Sequence, residues 1–130
     1  VKIKIGAAVM LEEELRVTIK GRDFIQGLPR SAQVGTNEIV KAIDAELKQI
    51  VKAIKDVLQE TPPELASDII DHGIIMTGGS SQLRNLTDLV YRKTGVKATL
   101  AEDALYCVVK GTGIALDHLD VYKKAVLSKK

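Results

Sequence analysis

The sequence predicts an α/β domain, and two strand-like segments with a helical pattern between them are the basis of that prediction. The first segment is the apolar run Ile74-Ile75-Met76, which stops at Gly78-Gly79. Ser80-Ser81 then open a helical pattern of leucines, and a second strand-like run covers 96–101. Strand, helix and strand within about 30 residues form a βαβ unit, whose strands are normally parallel.

Composition limits the class of protein. The 130 residues suit one domain or a part of one, with 45% apolar and 28% charged residues. A net charge of +2 and only four aromatic residues do not favour nucleic-acid binding. The single cysteine, Cys107, is expected to be a small buried side chain in a protein of a reducing compartment. No apolar run reaches the ~18 residues of a membrane span, and the basic tail Lys129-Lys130 is expected to be solvated and disordered.

The first 35 residues predict a β-hairpin. Residues 1–10 fit either the end of a helix broken at Gly6 or a strand. Apolar and polar residues alternate over 15–20, which is typical of a half-buried strand. A turn at Gln26-Gly27-Leu28-Pro29 leads to a weaker strand over 30–35.

Helices are predicted next. Thr36 or Asn37 is expected to cap a long helix, whose apolar stripe recurs every three or four residues as far as Leu58. Thr61-Pro62-Pro63 ends that helix, and 64–70 form a short one. The best domain boundary lies within 36–46, because the chain is hairpin-like before it and α/β after it.

The C-terminal part predicts two more helices. The one that follows the glycine turn ends at Gly95, with strand 96–101 beyond it. Asp103 is expected to cap a last long helix. Gly111 and Gly113 within that helix indicate a break, or a close approach by a ligand or by backbone. Its apolar residues are expected to form one buried face (Leu105, Val108, Val109, Ile114, Ala115 and Leu119).

The glycine turn is the candidate ligand site, because a strand followed by a tight turn and a helix start presents free N–H groups to an anion or nucleotide. Gly78-Gly79 matches neither the Walker A spacing nor G-x-G-x-x-G, so a purely steric role for the glycines stays open. His72 and His118 lie far apart and have no metal-site spacing. We find no pair of residues that must act as acid and base.

Several blocks of the chain, in this order, resemble the family of the bacterial actin homologue MreB and its paralogues. They are Leu28-Pro29-Arg30, Asn37-Glu38-Ile39, Thr61-Pro62-Pro63-Glu64-Leu65-Ala66-Ser67-Asp68-Ile69, Thr77-Gly78-Gly79, Leu83-Arg84-Asn85-Leu86, Thr94-Gly95 and Ala101-Glu102-Asp103. The resemblance covers essentially the whole chain. It implies the C-terminal part of an actin-like ATPase of ribonuclease H-like fold. Residues 1–45 would be a remnant of the smaller second-lobe subdomain, and 46–130 the second half of the larger one.

The resemblance also implies site residues. The family's adenosine motif falls on Gly78, Gly79, Ser80 and Ser81, where the glycines let backbone approach the nucleotide. Lys2 matches the end of a Glu-x-x-Lys segment and would contact the base or ribose, while the glutamate would lie upstream of Val1. The family usually has a third glycine where this chain has Ser80, which is strained if its φ is positive.

At the level of function, the resemblance implies an ATP-binding protein that polymerises into filaments, guides cell-wall synthesis and maintains rod shape. The chain is expected to be a fragment, since it starts in mid-pattern at Val1. The phosphate hairpins, the Mg²⁺ contacts and the water-positioning acid would lie in the absent half, so the chain alone is predicted not to hydrolyse ATP.

The implied partners are further copies of the protein, a RodZ-type membrane adaptor, the cell-wall synthesis machinery and, through the absent half, the inner face of the cell membrane. The implied location is the cytoplasm, against that membrane. Two alternatives stay open: a small-molecule kinase of the same superfold, and a non-catalytic interaction domain.

Overall fold

The computed structural model describes the backbone of residues 1–127 and the side chains of residues 1–123. The predicted basic tail Lys129-Lys130 lies outside the described residues. The helices are α1 (Lys2–Ile5), α2 (Thr36–Ala42), α3 (Asp44–Glu60), α4 (Pro63–His72), α5 (Leu86–Thr94), α6 (Cys107–Asp117) and α7 (Leu119–Leu127). The strands are β1 (Arg16–Arg22), β2 (Pro29–Gly35), β3 (Ile74–Met76) and β4 (Ala98–Leu100).

The strands form two small sheets. β1 and β2 pair antiparallel, from Arg16 opposite Gly35 to Arg22 opposite Pro29, which confirms the hairpin. β3 and β4 pair parallel across α5, with Ile74 opposite Ala98. This parallel pair confirms the βαβ unit and the α/β class. The division at residue 45 stays a prediction.

The apex of the hairpin is held by Asp23. Its carboxylate accepts backbone N–H bonds from Gln26 at 3.0 Å and Ile25 at 2.9 Å, and an Arg30 bond at 2.9 Å. The bond from Gln26, then those from Arg30 and Ile25, lower the pKa of Asp23 because they stabilise its ionised form. This ordered turn leaves Phe24 fully exposed, at 102% of its reference surface.

The N-terminal segment combines the two structures that its sequence allowed. Helix α1 ends at Gly6, and Ala7 then makes a parallel bridge with Arg84. The N–H of Ala8 donates to the carbonyl of Arg84 at 2.8 Å. These contacts bring the end of α1 beside the chain that follows β3.

The predicted long helix is bent, and its predicted cap is wrong. Helix α2 begins at Thr36 after Gly35, whose N–H donates to the Glu38 carboxylate. The Thr36 hydroxyl instead donates to the carbonyl of Leu15 at 3.1 Å, so it fastens the preceding segment rather than capping the helix. The bend falls at Ile43, with φ −107° and ψ 7°, between α2 and α3.

The last helix also differs from its prediction. Asp103 adopts a left-handed conformation with φ 50° and does not cap α6, which begins after Tyr106. The interruption lies at His118 between α6 and α7, not at the two glycines. No residue of α6 is buried, and Val108 is 76% exposed, so the predicted buried face is wrong. Periodicity identifies an apolar face but cannot supply the element that covers it.

The core lies between α3, α5 and the N-terminal segment. Its buried centre is Ala8, Leu47 and Leu86, and partly buried side chains surround it (Ile43, Met76, Leu83 and Leu89). Val90 of α5 is also completely buried. Leu83 and Leu86 follow the glycine turn along the chain and pack in this core. The core therefore anchors the C-terminal side of the turn.

Candidate functional site

The glycine turn leaves β3 and forms a short 3₁₀ turn, Gly79–Gln82, rather than the start of an α-helix. Gly78 has φ 86° and ψ 163°, a backbone conformation that only glycine adopts without strain. Helix α5 begins only at Leu86, so the predicted helix start at Ser80-Ser81 is wrong. The extended residue Leu83, with φ −62° and ψ 128°, ends the 3₁₀ turn, and the left-handed Asn85, with φ 59°, precedes the helix.

The turn nevertheless presents free donors. The N–H of Gly78 donates to Ala104 at 2.7 Å, and that of Ser81 donates to Gly78 at 3.2 Å. Within the part of the chain that the structure describes, the N–H groups of Gly79 and Ser80 have no hydrogen-bond acceptor. Two adjacent N–H groups are therefore open to an anionic or polar ligand.

The two serines have different roles in the turn. Ser80 has a negative φ, so a side chain fits there without strain where the family usually has glycine. Ser81 is only 6% exposed, and its hydroxyl donates to the carbonyl of Gly78. The buried Ser81 hydroxyl thus stabilises the turn and is not available to a ligand.

A cleft of about 410 Å³ opens beside the turn, between α1 and α3. It brings together three of the five predicted site residues: Lys2, Gly79 and Ser80. Gly78 and Ser81 do not line it; they shape the turn behind it. The structure therefore brings together two segments that only the resemblance had connected, since Lys2 and Gly79 line one cleft although they lie 77 positions apart in the sequence.

Sequence reasoning missed the third wall of the cleft. It is formed by Ile43 at the bend and by Leu47 and Ile50 of α3, while Leu83 and Leu86 complete the apolar surface. The apolar stripe of α3 predicted only packing in the core. The bend at Ile43, beside which part of this stripe lines the cleft, contains no proline or glycine from which it could have been predicted.

Charged side chains lie around this apolar surface. Lys2, Glu46 and Arg84 line the cleft, and within the described residues none of them has an ion-pair partner within 4.0 Å. They are exposed and free to meet a ligand. In residues 1–127 there is no cluster of three or more His, Cys, Asp or Glu that could hold a metal ion.

The fold and the glycine turn define the class as actin-like. Two solved structures of MreB5 from Spiroplasma citri, one bound to ADP and one to AMPPNP, match the chain with TM-scores of 0.81 and 0.80. Their sequence identities are 32% and 31%, and each match covers 98% of this chain and 38% of that chain. The parallel pair with its glycine turn thus belongs to the actin-like ATPase fold.

Sequence comparisons then identify the family. The family model described as MreB/Mbl protein matches residues 1–124, and the chain belongs to the MreB/Mbl family. Cell shape-determining protein MreB of Escherichia coli strain K12 is 40% identical over 122 residues, which are 94% of this chain and 35% of that protein. Cell shape-determining protein Mbl of Bacillus subtilis strain 168 is 40% identical over 128 residues, 98% and 38% respectively. The resemblance and the fold class are confirmed.

The chain matches only part of the length of its relatives. It spans between 35% and 38% of the length of these relatives. Among the residues that the structure describes, no helix combines the length and the apolar character needed to cross a bilayer.

Proposed function

We propose that this chain forms the adenosine-facing side of a nucleotide site in a cell shape-determining, actin-like protein that assembles into filaments. The observation that carries the proposal is the cleft that Lys2 lines together with Gly79 and Ser80, whose N–H groups have no acceptor in the described residues. The related MreB5 structures with ADP and AMPPNP support the same ligand class.

Each wall of the cleft suits one part of a nucleoside. The apolar surface of Ile43, Ile50 and Leu83 offers a purine base a place to pack away from water. The N–H groups of Gly79 and Ser80 offer donors to the ribose or to the phosphate that follows it. The Lys2 ammonium can donate to the base or the ribose from the opposite side.

Hydrolysis is a separate matter. We expect the chain alone to release no phosphate from ATP at a measurable rate, because phosphoryl transfer depends on Mg²⁺ and on groups around the γ-phosphate. By resemblance we assign those groups, and the Mg²⁺ contacts, to the part of the family's length that the chain does not match. Mg²⁺-dependent phosphate release by the purified chain would refute this assignment.

Titration with adenosine tests the nucleoside site. We expect adenosine and ADP to shift the amide NMR signals of Gly79, Ser80 and residues 2–6, with a dissociation constant of about 0.1–1 mM for half a site. Adenosine should retain most of the affinity of ADP, since the cleft is proposed to bind the nucleoside rather than the phosphates.

Inorganic pyrophosphate is the matched control for charge. It should leave the residues of the apolar wall unshifted at the same concentration. If pyrophosphate reproduces the ADP shifts while adenosine gives none, the cleft binds phosphate and the proposed orientation is wrong. If neither nucleoside nor nucleotide produces shifts at the turn, the nucleotide site is not formed by this chain.

The partners and location remain proposals of the same kind. They are further copies of the protein, a RodZ-type adaptor, the cell-wall synthesis machinery and the inner face of the cell membrane. The MreB/Mbl family favours a filament protein over a small-molecule kinase of the same superfold or a simple interaction domain. Pelleting of the protein with ATP separates these alternatives, because a filament sediments and a kinase does not.

Two exposed surfaces support assembly of copies head to tail. The hairpin apex presents Phe24 and Ile25, exposed by 102% and 91%, beside the cationic residue Arg22. Helix α4 presents Leu65 and Ile70, exposed by 55% and 63%, among acidic residues (Glu64, Asp68 and Asp71). Asp23 at the apex pairs with Arg30, so Arg22 is the cation without an ion-pair partner there among the described residues. This cationic apolar apex and the acidic apolar helix are complementary, and such unlike surfaces generate an open chain of subunits.

Replacing both Phe24 and Ile25 with serine is therefore expected to reduce ATP-dependent pelleting at least about tenfold, because buried aromatic anchors dominate interface energy. Both side chains are exposed, so the double variant should unfold at the same denaturant concentration as the parent. Val108→Ser, on the exposed face of α6, is the matched control. Loss of pelleting in the Val108 variant alone would place the contact on α6 instead.

A further inference from the structure

The turn that follows β4 supports the glycine turn from behind. The N–H of Gly78 donates to the carbonyl of Ala104 at 2.7 Å, and the N–H of Ala101 donates to the carbonyl of Met76 at 3.0 Å. Ala104 is only 3% exposed. The exits of the two parallel strands are thus joined by two backbone hydrogen bonds, which link the positions of the two turns.

The side chain of Leu105 occupies the space beside Gly79. A Cβ atom built on Gly79 would lie 3.3 Å from Cδ1 of Leu105, and no other heavy atom outside its chain neighbours comes within 4 Å. Leu105 is not among the residues that line the cleft. It therefore lies beside Gly79 without lining the cleft.

The backbone turn that carries Leu105 has two contacts of its own. Asp103 is left-handed, and its carbonyl accepts the N–H of Tyr106 at 2.7 Å, which closes a tight turn around Leu105. The Asp103 carboxylate pairs with Lys110 on α6. The backbone turn that carries Leu105 is therefore tied to the first turn of α6, while the Leu105 side chain itself is 56% exposed.

We infer that Leu105 is a positioning residue for nucleoside binding, acting through Gly79. It keeps the turn pressed towards the cleft, so that the N–H groups of Gly79 and Ser80 point at the ligand. This inference rests on the proposed nucleotide site. Placement matters because binding groups must be held within about 0.5 Å of their productive positions.

Truncation of Leu105 tests the inference. Leu105→Ala is expected to weaken adenosine binding by about threefold to tenfold, the scale of one lost or misplaced hydrogen bond. Leu105→Met, which keeps the reach of the side chain, should bind within about twofold of the parent. Val108→Ala, three residues further along, in α6, and 76% exposed, is the control and should not change affinity.

Two readouts separate this inference from the proposed function. Without any ligand, Leu105→Ala should move the amide signals of Gly79 and Ser80 and speed hydrogen exchange at Gly78, while Leu105→Met should restore both. If the parent chain binds no adenosine but these signals still respond, the proposed function fails and the positioning contact stands. If adenosine binds the parent and Leu105→Ala changes neither the signals nor the affinity, the inference is overturned.

A double variant gives the sharpest form of the test. Gly79→Ala adds a methyl group that must displace Leu105 by a few tenths of an ångström. In the Leu105→Ala background that methyl group meets an open space, so the cost of Gly79→Ala to adenosine affinity should shrink. Strictly additive effects of the two substitutions would show that the residues act independently and would refute the inference.

Discussion

Gly73→Ala is expected to destabilise the fold by about 3 kcal/mol or more, because it combines backbone strain with a steric clash. Gly73 has φ 81° and ψ −172°, a region that is essentially restricted to glycine. A Cβ there would lie 2.6 Å from the carbonyl oxygen of Lys97. That oxygen accepts the N–H of Ile74 at 2.8 Å, the bond that starts the pairing of β3 with β4. Urea unfolding followed by circular dichroism measures the change.

Alanine substitutions at two other glycines separate the contribution of backbone strain from that of the steric clash. Gly95 also has a positive φ, 77°, but a Cβ on it would meet nothing within 4 Å, so Gly95→Ala should cost only about 1–2 kcal/mol. Gly111 lies in α6 without a positive φ or a neighbour, so Gly111→Ala should be neutral or stabilising by up to about 1 kcal/mol. If all three variants unfold alike, the clash with Lys97 does not exist.

Local signals predicted the parts of this fold that local chemistry determines. Pro63 at the first position of α4 and Gly95 after α5 fix the ends of those helices where the sequence indicated them. The alternation over 15–20 and the apolar run before Gly78 gave the two strands. In each case the structure follows from the backbone preference of one residue or from the spacing of apolar residues, so a single sequence is sufficient to predict it.

Features that depend on contacts between distant segments were not predictable. Ile43 bends the chain between α2 and α3 with residues that favour a continuous helix, and that bend turns the α3 stripe towards the cleft. Thr36 was expected to cap a helix, but its hydroxyl bonds to Leu15, 21 residues away. A hydrogen-bond partner of this kind depends on the tertiary structure and cannot be predicted from the residues next to Thr36.

The candidate site shows the same division. Gly78 and Gly79 were recognisable because a strand that ends in a diglycine has few conformations open to it. That Lys2 belongs to the same site as Gly79 was implied by the family resemblance alone, and nothing in the sequence indicated Glu46, which also lines the cleft. The α6 face was predicted from its period to be buried, yet in the described residues it has no cover.

Leu86→Ala is expected to cost about 2–5 kcal/mol, because it removes one of the two leucines at the centre of a small core. Leu86 is 4% exposed and packs with Leu47 and Ala8. Most other buried apolar residues are alanines and valines, which cannot move to fill the space that a leucine leaves. A domain is usually stable by only about 5–15 kcal/mol, so the variant should approach the unfolding threshold. Thermal and urea unfolding measure the loss.

The effect should depend on burial and shape rather than on the loss of a leucine as such. Leu65→Ala, on the exposed side of α4 at 55% exposure, should change stability by no more than about 0.5 kcal/mol. Leu86→Met, which nearly conserves volume, should cost less than about 1.5 kcal/mol. Because Leu86 also lines the cleft, any folded Leu86→Ala protein should bind adenosine more weakly than Leu86→Met. Equal unfolding midpoints for the alanine variants at 65 and 86 would mean that α5 does not pack on α3, and that the glycine turn lacks the support on which its geometry depends.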